Sequence, residues 1–152
     1  MTDLDRTIAD AKDMLRVIAQ DMEAAEAATL DLPQLDVPTI HHFGPGIYIR
    51  EITMPAGSLV IGREHRGEGM NMVLQGRLIM VDGSGSGTFR DLTGPALFNS
   101  PPGRKAMFCV EETTLQNIWP NPDGETDTDV LEDRFSIKSE AWLAHHAKKE
   151  AT

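Results

Sequence analysis

The chain has almost no cysteine: a single residue, Cys109, in 152. One thiol closes no internal disulfide, so a hydrophobic core must hold the fold, and a reducing compartment is expected. Cys109 lies in the apolar run AMFCV, which marks it as a small buried hydrophobe rather than a reactive thiol. No apolar run approaches the roughly 18–20 residues of a membrane span. The N-terminal MTDLDRTIAD is acidic and lacks an apolar segment, so it is not a secretory signal. Positive charge is scarce as well: 14 Lys and Arg stand against 24 Asp and Glu, a net charge of −10. Nonspecific nucleic-acid binding needs a concentrated basic face, and that class is set aside. HExxH, CxxC and GxSxG are all missing. GSGSG lacks the Lys-Ser/Thr and the following helix of a phosphate loop.

The charge that is present is unevenly placed. Residues 1–40 carry nine acids and three bases, and residues 111–134 carry eight acids and one base. Residues 41–110 carry five acids and seven bases. A mildly basic middle between acidic flanks suits a small anion; acidic flanks alone also serve to keep an assembly soluble.

Four regions follow from composition and period. Residues 1–29 predict an amphipathic helix over about 3–28, capped by Thr2, with Asp3 and Asp5 at its positive end. Leu4, Ile8, Ala11, Leu15, Ile18, Met22 and Ala25 are spaced by alternating fours and threes, a heptad seam. The seam suits either a partner helix or the protein's own body; Leu4, Ile8, Leu15, Ile18 and Met22 are the candidate oligomer or partner contacts. Residues 30–40 hold Pro33 and Pro38, which favour extended chain, with Leu30, Leu32, Leu35 and Val37 available to pin it. Residues 41–120 break into short apolar runs divided by Gly and Pro, the pattern of a β-sandwich or barrel. The runs are GIYIREITM, SLVIG, MNMVLQ, RLIMV, ALFNS, KAMFCV and TLQNIW, with DGSGSGT as a hairpin tip. Residues 121–152 begin as an acidic, turn-rich loop. A short helix is expected over 128–134, then one in SEAWLAHHAKK capped by Ser139 and docked by Trp142 and Leu143.

IGREHRGEGMNMVLQGR, at 61–77, resembles the first metal motif of the cupin superfamily, and SPPGRKAMF loosely resembles the second. Gly57 and Gly76 match the first motif's two glycines. HHFGPGIYIREITMPAGSLVIG, NMVLQGR and ETDTDVLED are similar to small phage and prophage cupin-like proteins of unassigned function. The resemblance implies a mainly β fold: a cupin-type, jelly-roll antiparallel barrel, with a long N-terminal helix and short C-terminal helices added. It also implies a divalent metal on inward-facing His and Glu residues. Here the matches fail. Arg63 stands at the first His position, His65 at the second, Gly69 at the Glu position and Ala106 at the last His position. An arginine is permanently cationic and binds no metal. His65 and Glu68 are the residual metal candidates, and two ligands hold a transition metal poorly.

The expectation is therefore a retained barrel with its metal chemistry lost, no cofactor and no catalytic residue. The first functional reading is a non-catalytic, phage-type structural or interaction protein, virion-associated or assembled as a homo-oligomer, in the host cytoplasm or the virion. The alternative is a pocket for a small anionic ligand at Arg63, His65 and Asn71, with Phe108 as an apolar wall and Arg104 and Lys105 next to it in sequence. A metal-dependent cupin enzyme ranks third.

Overall fold

The structure is a computed structural model that describes residues 1–83 and 88–151. The hairpin tip expected around Gly85 lies outside these residues, although the strands on either side of it pair as expected.

The predicted N-terminal helix is two helices. α1 (Asp3–Gln20) opens on a capping box, with Asp5 N–H donating to Thr2 Oγ1 at 3.0 Å and Thr2 N–H donating to Asp5 Oδ2 at 3.1 Å. Asp21 then leaves helical geometry, and its carboxylate accepts from Ala24 N–H at 3.0 Å to start α2 (Met22–Thr29). The heptad seam runs through this break and turns inward. Ala11 is buried, and Leu15, Ile18, Ala19 and Met22 are buried against Ile79, Val81 and Ala106. Ile8 is half-buried on the same cluster. Of the five proposed partner contacts, Leu4 alone is exposed. The seam covers the barrel.

The β region contributes β1 (Thr39–Gly44), β2 (Ile47–Met54), β3 (Leu59–Ile61), β4 (Glu64–His65), β5 (Gly69–Gln75) and β6 (Arg77–Asp82). It continues with β7 (Phe89–Thr93), β8 (Ala96–Ser100), β9 (Lys105–Cys109) and β10 (Thr113–Pro120). A five-stranded sheet ordered β1-β2-β10-β5-β8 faces a four-stranded sheet ordered β3-β9-β6-β7, and all of these strand pairs are antiparallel. Alternate residues of each sheet meet between them. Ile52, Met54, Val73, Phe98 and Leu115 come from the first sheet, and Leu78, Met80, Met107 and Cys109 from the second. α1 packs across the outer face of the second sheet. Gly76 joins β5 to β6 at φ +91°, where an added Cβ would lie 2.1 Å from the Glu112 carbonyl oxygen. The turn thus needs glycine both for its backbone conformation and for space.

The connecting segment 30–38 is pinned by fewer residues than its composition suggests. Val37 packs on the core, while Leu32 and Leu35 are more than half exposed. The tail is better anchored. α3 (Thr128–Phe135) is capped by Asp127 and buries Leu131 completely. β11 (Ser136–Ile137) then pairs with β4. α4 (Glu140–Glu150) is capped by Ser139, whose Oγ accepts from Trp142 N–H at 3.0 Å. α4 lies against α2. Trp142 is half-buried as expected, but Leu143 is exposed.

Candidate functional site

Four strands turn polar side chains inward at one end of the barrel. Period two on β2 puts Arg50 in line with Ile52 and Met54, and on β5 it puts Asn71 in line with Val73. β9 does the same with Lys105 and Met107, and β10 with Asn117 and Leu115. All of these except Val73 line one cavity of about 290 Å³, with Arg63, His65 and Phe98. The tail closes over it: Glu132 of α3 and Ser136 of β11 also line the cavity. This closure is held by Arg66, which takes Phe135 O through its backbone N–H at 3.0 Å and Asp133 O through Nε at 3.0 Å. Phe135 also stacks on Trp119 with ring centroids 4.7 Å apart.

Cations dominate the lining. Arg63 reaches Glu132 at 3.4 Å and stacks over Trp142, 5.3 Å from the ring centroid. The Arg50 guanidinium has neither hydrogen bond nor ion pair among the described residues. Burial pulls its pKa below the usual arginine value, though the group stays charged. Lys105 is 7% exposed, and its buried Nζ finds no hydrogen-bond partner among the described residues. Burial pulls Lys105 down to about 8, offset in part by Asp82 and reinforced by Arg90. Burial likewise pulls His65 down to about 4, with Lys105 and Arg50 adding repulsion. The imidazole is therefore neutral at pH 7, and it meets Trp119 edge-on at 5.9 Å. The amides satisfy each other: Asn117 Nδ2 donates to Asn71 Oδ1 at 2.7 Å, and Asn71 Nδ2 donates to Ser100 Oγ at 2.5 Å.

The structure thus brings together three of the five residues expected to bind ligand: Arg63, His65 and Asn71. It corrects the other two. Phe108 points out of the barrel, with Ala106, into the cluster beneath α1. Met107 and Lys105 take the inward positions, because the register pairs Met107 with Val60 and Met80. Arg104 is a clamp on α2 rather than a wall of the cavity. It donates to Gly62 O at 2.9 Å and reaches Glu23 and Glu26 at 3.2 and 3.1 Å. Arg50 and Asn117 are functional candidates that sequence reasoning missed, and Lys105, expected only as a neighbour of Phe108, lines the cavity itself.

The metal expected of an intact cupin motif does not fit these residues. Among the described residues, no three of His, Cys, Asp or Glu come close enough together to hold an ion. Glu68 is exposed and outside the cavity lining. His41 bonds Tyr48 Oη at 2.7 Å and His42 lies 3.3 Å from Glu51, both away from the lining. Within the lining, one neutral imidazole and one carboxylate face two guanidiniums and an ammonium, and three cations oppose a fourth.

No family model matches the sequence, and a search among curated proteins finds no match. Solved structures do match. An ectoine synthase from P. lautus superposes with a TM-score of 0.53 at 9% identity, over 72% of this chain and 84% of that one. A salicylate 1,2-dioxygenase variant from Pseudoaminobacter salicylatoxidans gives 0.52 at 15% identity, over 80% of this chain and 36% of that one. A cupin superfamily protein from Desulfitobacterium hafniense gives 0.47 at 15% identity, over 62% and 85%. Identities this low speak to fold alone. No helix among the described residues is long and apolar enough to cross a membrane. The chain has the cupin fold: a jelly-roll antiparallel barrel with a helical arm at its N-terminus and a helical tail over its mouth.

Proposed function

We propose that the chain captures a small organic acid in the barrel mouth, with the carboxylate held by Arg50 and Arg63 beside the Lys105 ammonium. The observation that carries this reading is the buried Lys105 ammonium, unpartnered among the described residues. An unpaired buried charge costs several kcal/mol, and a fold keeps one where a ligand of opposite charge offsets that cost. Arg50 supports the same reading with guanidinium donors that no described residue uses. Phe98, Met107 and Ile52 give the carbon skeleton an apolar wall.

A structural or virion-associated role would draw on the helix seam. Leu15, Ile18 and Met22 are already occupied by the barrel, which favours the ligand reading. The test is a thermal-shift series of small mono- and dicarboxylates beside their uncharged amides. The carboxylates raise Tm and the amides do not; an equal or absent response to both classes overturns the proposal.

For a partner, we propose a second copy of this chain on the outer face of the five-stranded sheet. Met70, Leu74 and Leu97 stand exposed there on the adjacent strands β5 and β8. A chain of net charge −10 repels its own copies except across uncharged surface such as this. Sedimentation velocity of wild type and Leu97→Asp checks it: the wild type self-associates and the variant does not. A wild type that sediments as a monomer removes the proposal.

A further inference from the structure

Lys105 differs in kind from the two arginines that share its cavity. A guanidinium only holds an anion, whereas an ammonium that can lose its proton becomes a nucleophile. Lys105 stands at the start of β9 in the four-stranded sheet, and Arg50 stands across the cavity on β2 of the five-stranded sheet. The backbone at and beside Lys105 is already hydrogen-bonded. Gly62 N–H donates to Lys105 O at 2.8 Å, and Gly103 and His65 close a two-way backbone bridge at 2.8 and 3.0 Å. Nothing among the described residues accepts from Nζ. The charged and titratable neighbours that act on it or share its cavity are Asp82, Arg90, Arg50, Arg63, His65 and Glu132. None is within ion-pair distance of Nζ, and the strongest influence on the group is burial.

We infer that Lys105 condenses with the carbonyl of a 2-oxo acid whose carboxylate is held by Arg50 and Arg63, forming a Schiff base inside the barrel. The inference rests on the reading of the cavity as a carboxylate site and extends it to a substrate class. In a 2-oxo acid the carbonyl carbon is bonded directly to the carboxylate. An acid seated on the arginines of one sheet and the mouth therefore directs its electrophile toward the facing sheet. The ammonium first gives one proton to solvent. The amine lone pair then adds to the carbonyl carbon, and the carbonyl π pair moves to oxygen, which takes up a proton from the nitrogen. Loss of that oxygen as water, with the second nitrogen proton, leaves a C=N bond. Amine and ketone become imine and water, with no change in oxidation state. With its pKa near 8, Lys105 has on the order of a hundredfold more free amine at neutral pH than an ordinary lysine.

The test is reductive trapping on the full-length protein with pyruvate and sodium borohydride, read by intact mass and peptide mapping. Calorimetric titrations with pyruvate and with propionate, which lacks the carbonyl, are run in parallel. The expected result is a covalent gain equal to the mass of pyruvate less one oxygen. It falls on Lys105 about ten times faster than on Lys12 or Lys138 and is absent in Lys105→Arg. If both acids bind but Lys105 is labelled no faster than those surface lysines, the Schiff base is wrong and the carboxylate site stands. If neither acid binds, the carboxylate site and the Schiff base fall together.

Discussion

The two ends of the barrel interior are built from the same strands and obey opposite rules. On β2 the inward residues run Arg50, Ile52, Met54; on β5, Asn71 then Val73; on β9, Lys105, Met107, Cys109; on β10, Asn117 then Leu115. At the closed end, Met54, Val73, Leu78, Met80 and Cys109 are 0–1% exposed, a dry apolar core. Two to four residues along each strand, the interior holds a lysine and an arginine whose side chains have no hydrogen-bond or ion-pair partner among the described residues. One end is arranged to be stable and the other is left unsatisfied, and that imbalance within four strands is what marks the second end as a site.

The comparison predicts that substitutions at the two ends move stability in opposite directions. The largest effect is expected at the closed end: Leu78→Ala, which opens a cavity where Leu78 is fully buried, costs about 2–5 kcal/mol in urea denaturation and leaves the carboxylate-induced Tm shift in place. Next is acid. The unfolded imidazole of His65 takes its proton near pH 6.5, while the folded one holds out until about 4. Folding stability is therefore lost as the pH falls through that window, by an amount on the order of 3 kcal/mol, and His65→Gln flattens the profile of stability against pH. A smaller effect of opposite sign belongs to Lys105→Met: removing the unpaired ammonium raises stability by about 1–3 kcal/mol and weakens carboxylate binding at least about tenfold. A stability loss in that variant would break the comparison. Smallest is the surface pair Arg77–Asp91, bidentate at 2.8–2.9 Å but open to solvent. Asp91→Asn costs less than about 1 kcal/mol and leaves binding unchanged.

Most of the fold was legible because its signals are local. Gly and Pro punctuation divided the strands, and Ser139 and Thr2 announced the helix starts. What misled was a strand buried on both faces. KAMFCV runs between the barrel core and α1, so Ala106 and Phe108 are as apolar as Met107 and Cys109, and alternation carries no information there. The motif alignment then placed Ala106 inward, one residue out of register, and Lys105 was lost from the site. Arg50 was missed for a related reason. IYIREITM alternates equally well either way, with Glu51 and Arg50 on opposite faces. The break at Asp21 hid inside a seam that continues across it, visible only as a capping aspartate in a run of good helix formers. The closure of the mouth by Glu132 and Ser136 joins positions more than sixty residues from Arg63 and His65, and no local pattern encodes it.

The most direct test of the cavity's role is a calorimetric titration of pyruvate, at pH 7, into wild-type protein and into Lys105→Met. The account predicts saturable one-to-one binding by the wild type, and an affinity at least about tenfold weaker in the variant, the loss of one charge-assisted contact. Equal affinity in the two proteins, or none in the wild type, would contradict it.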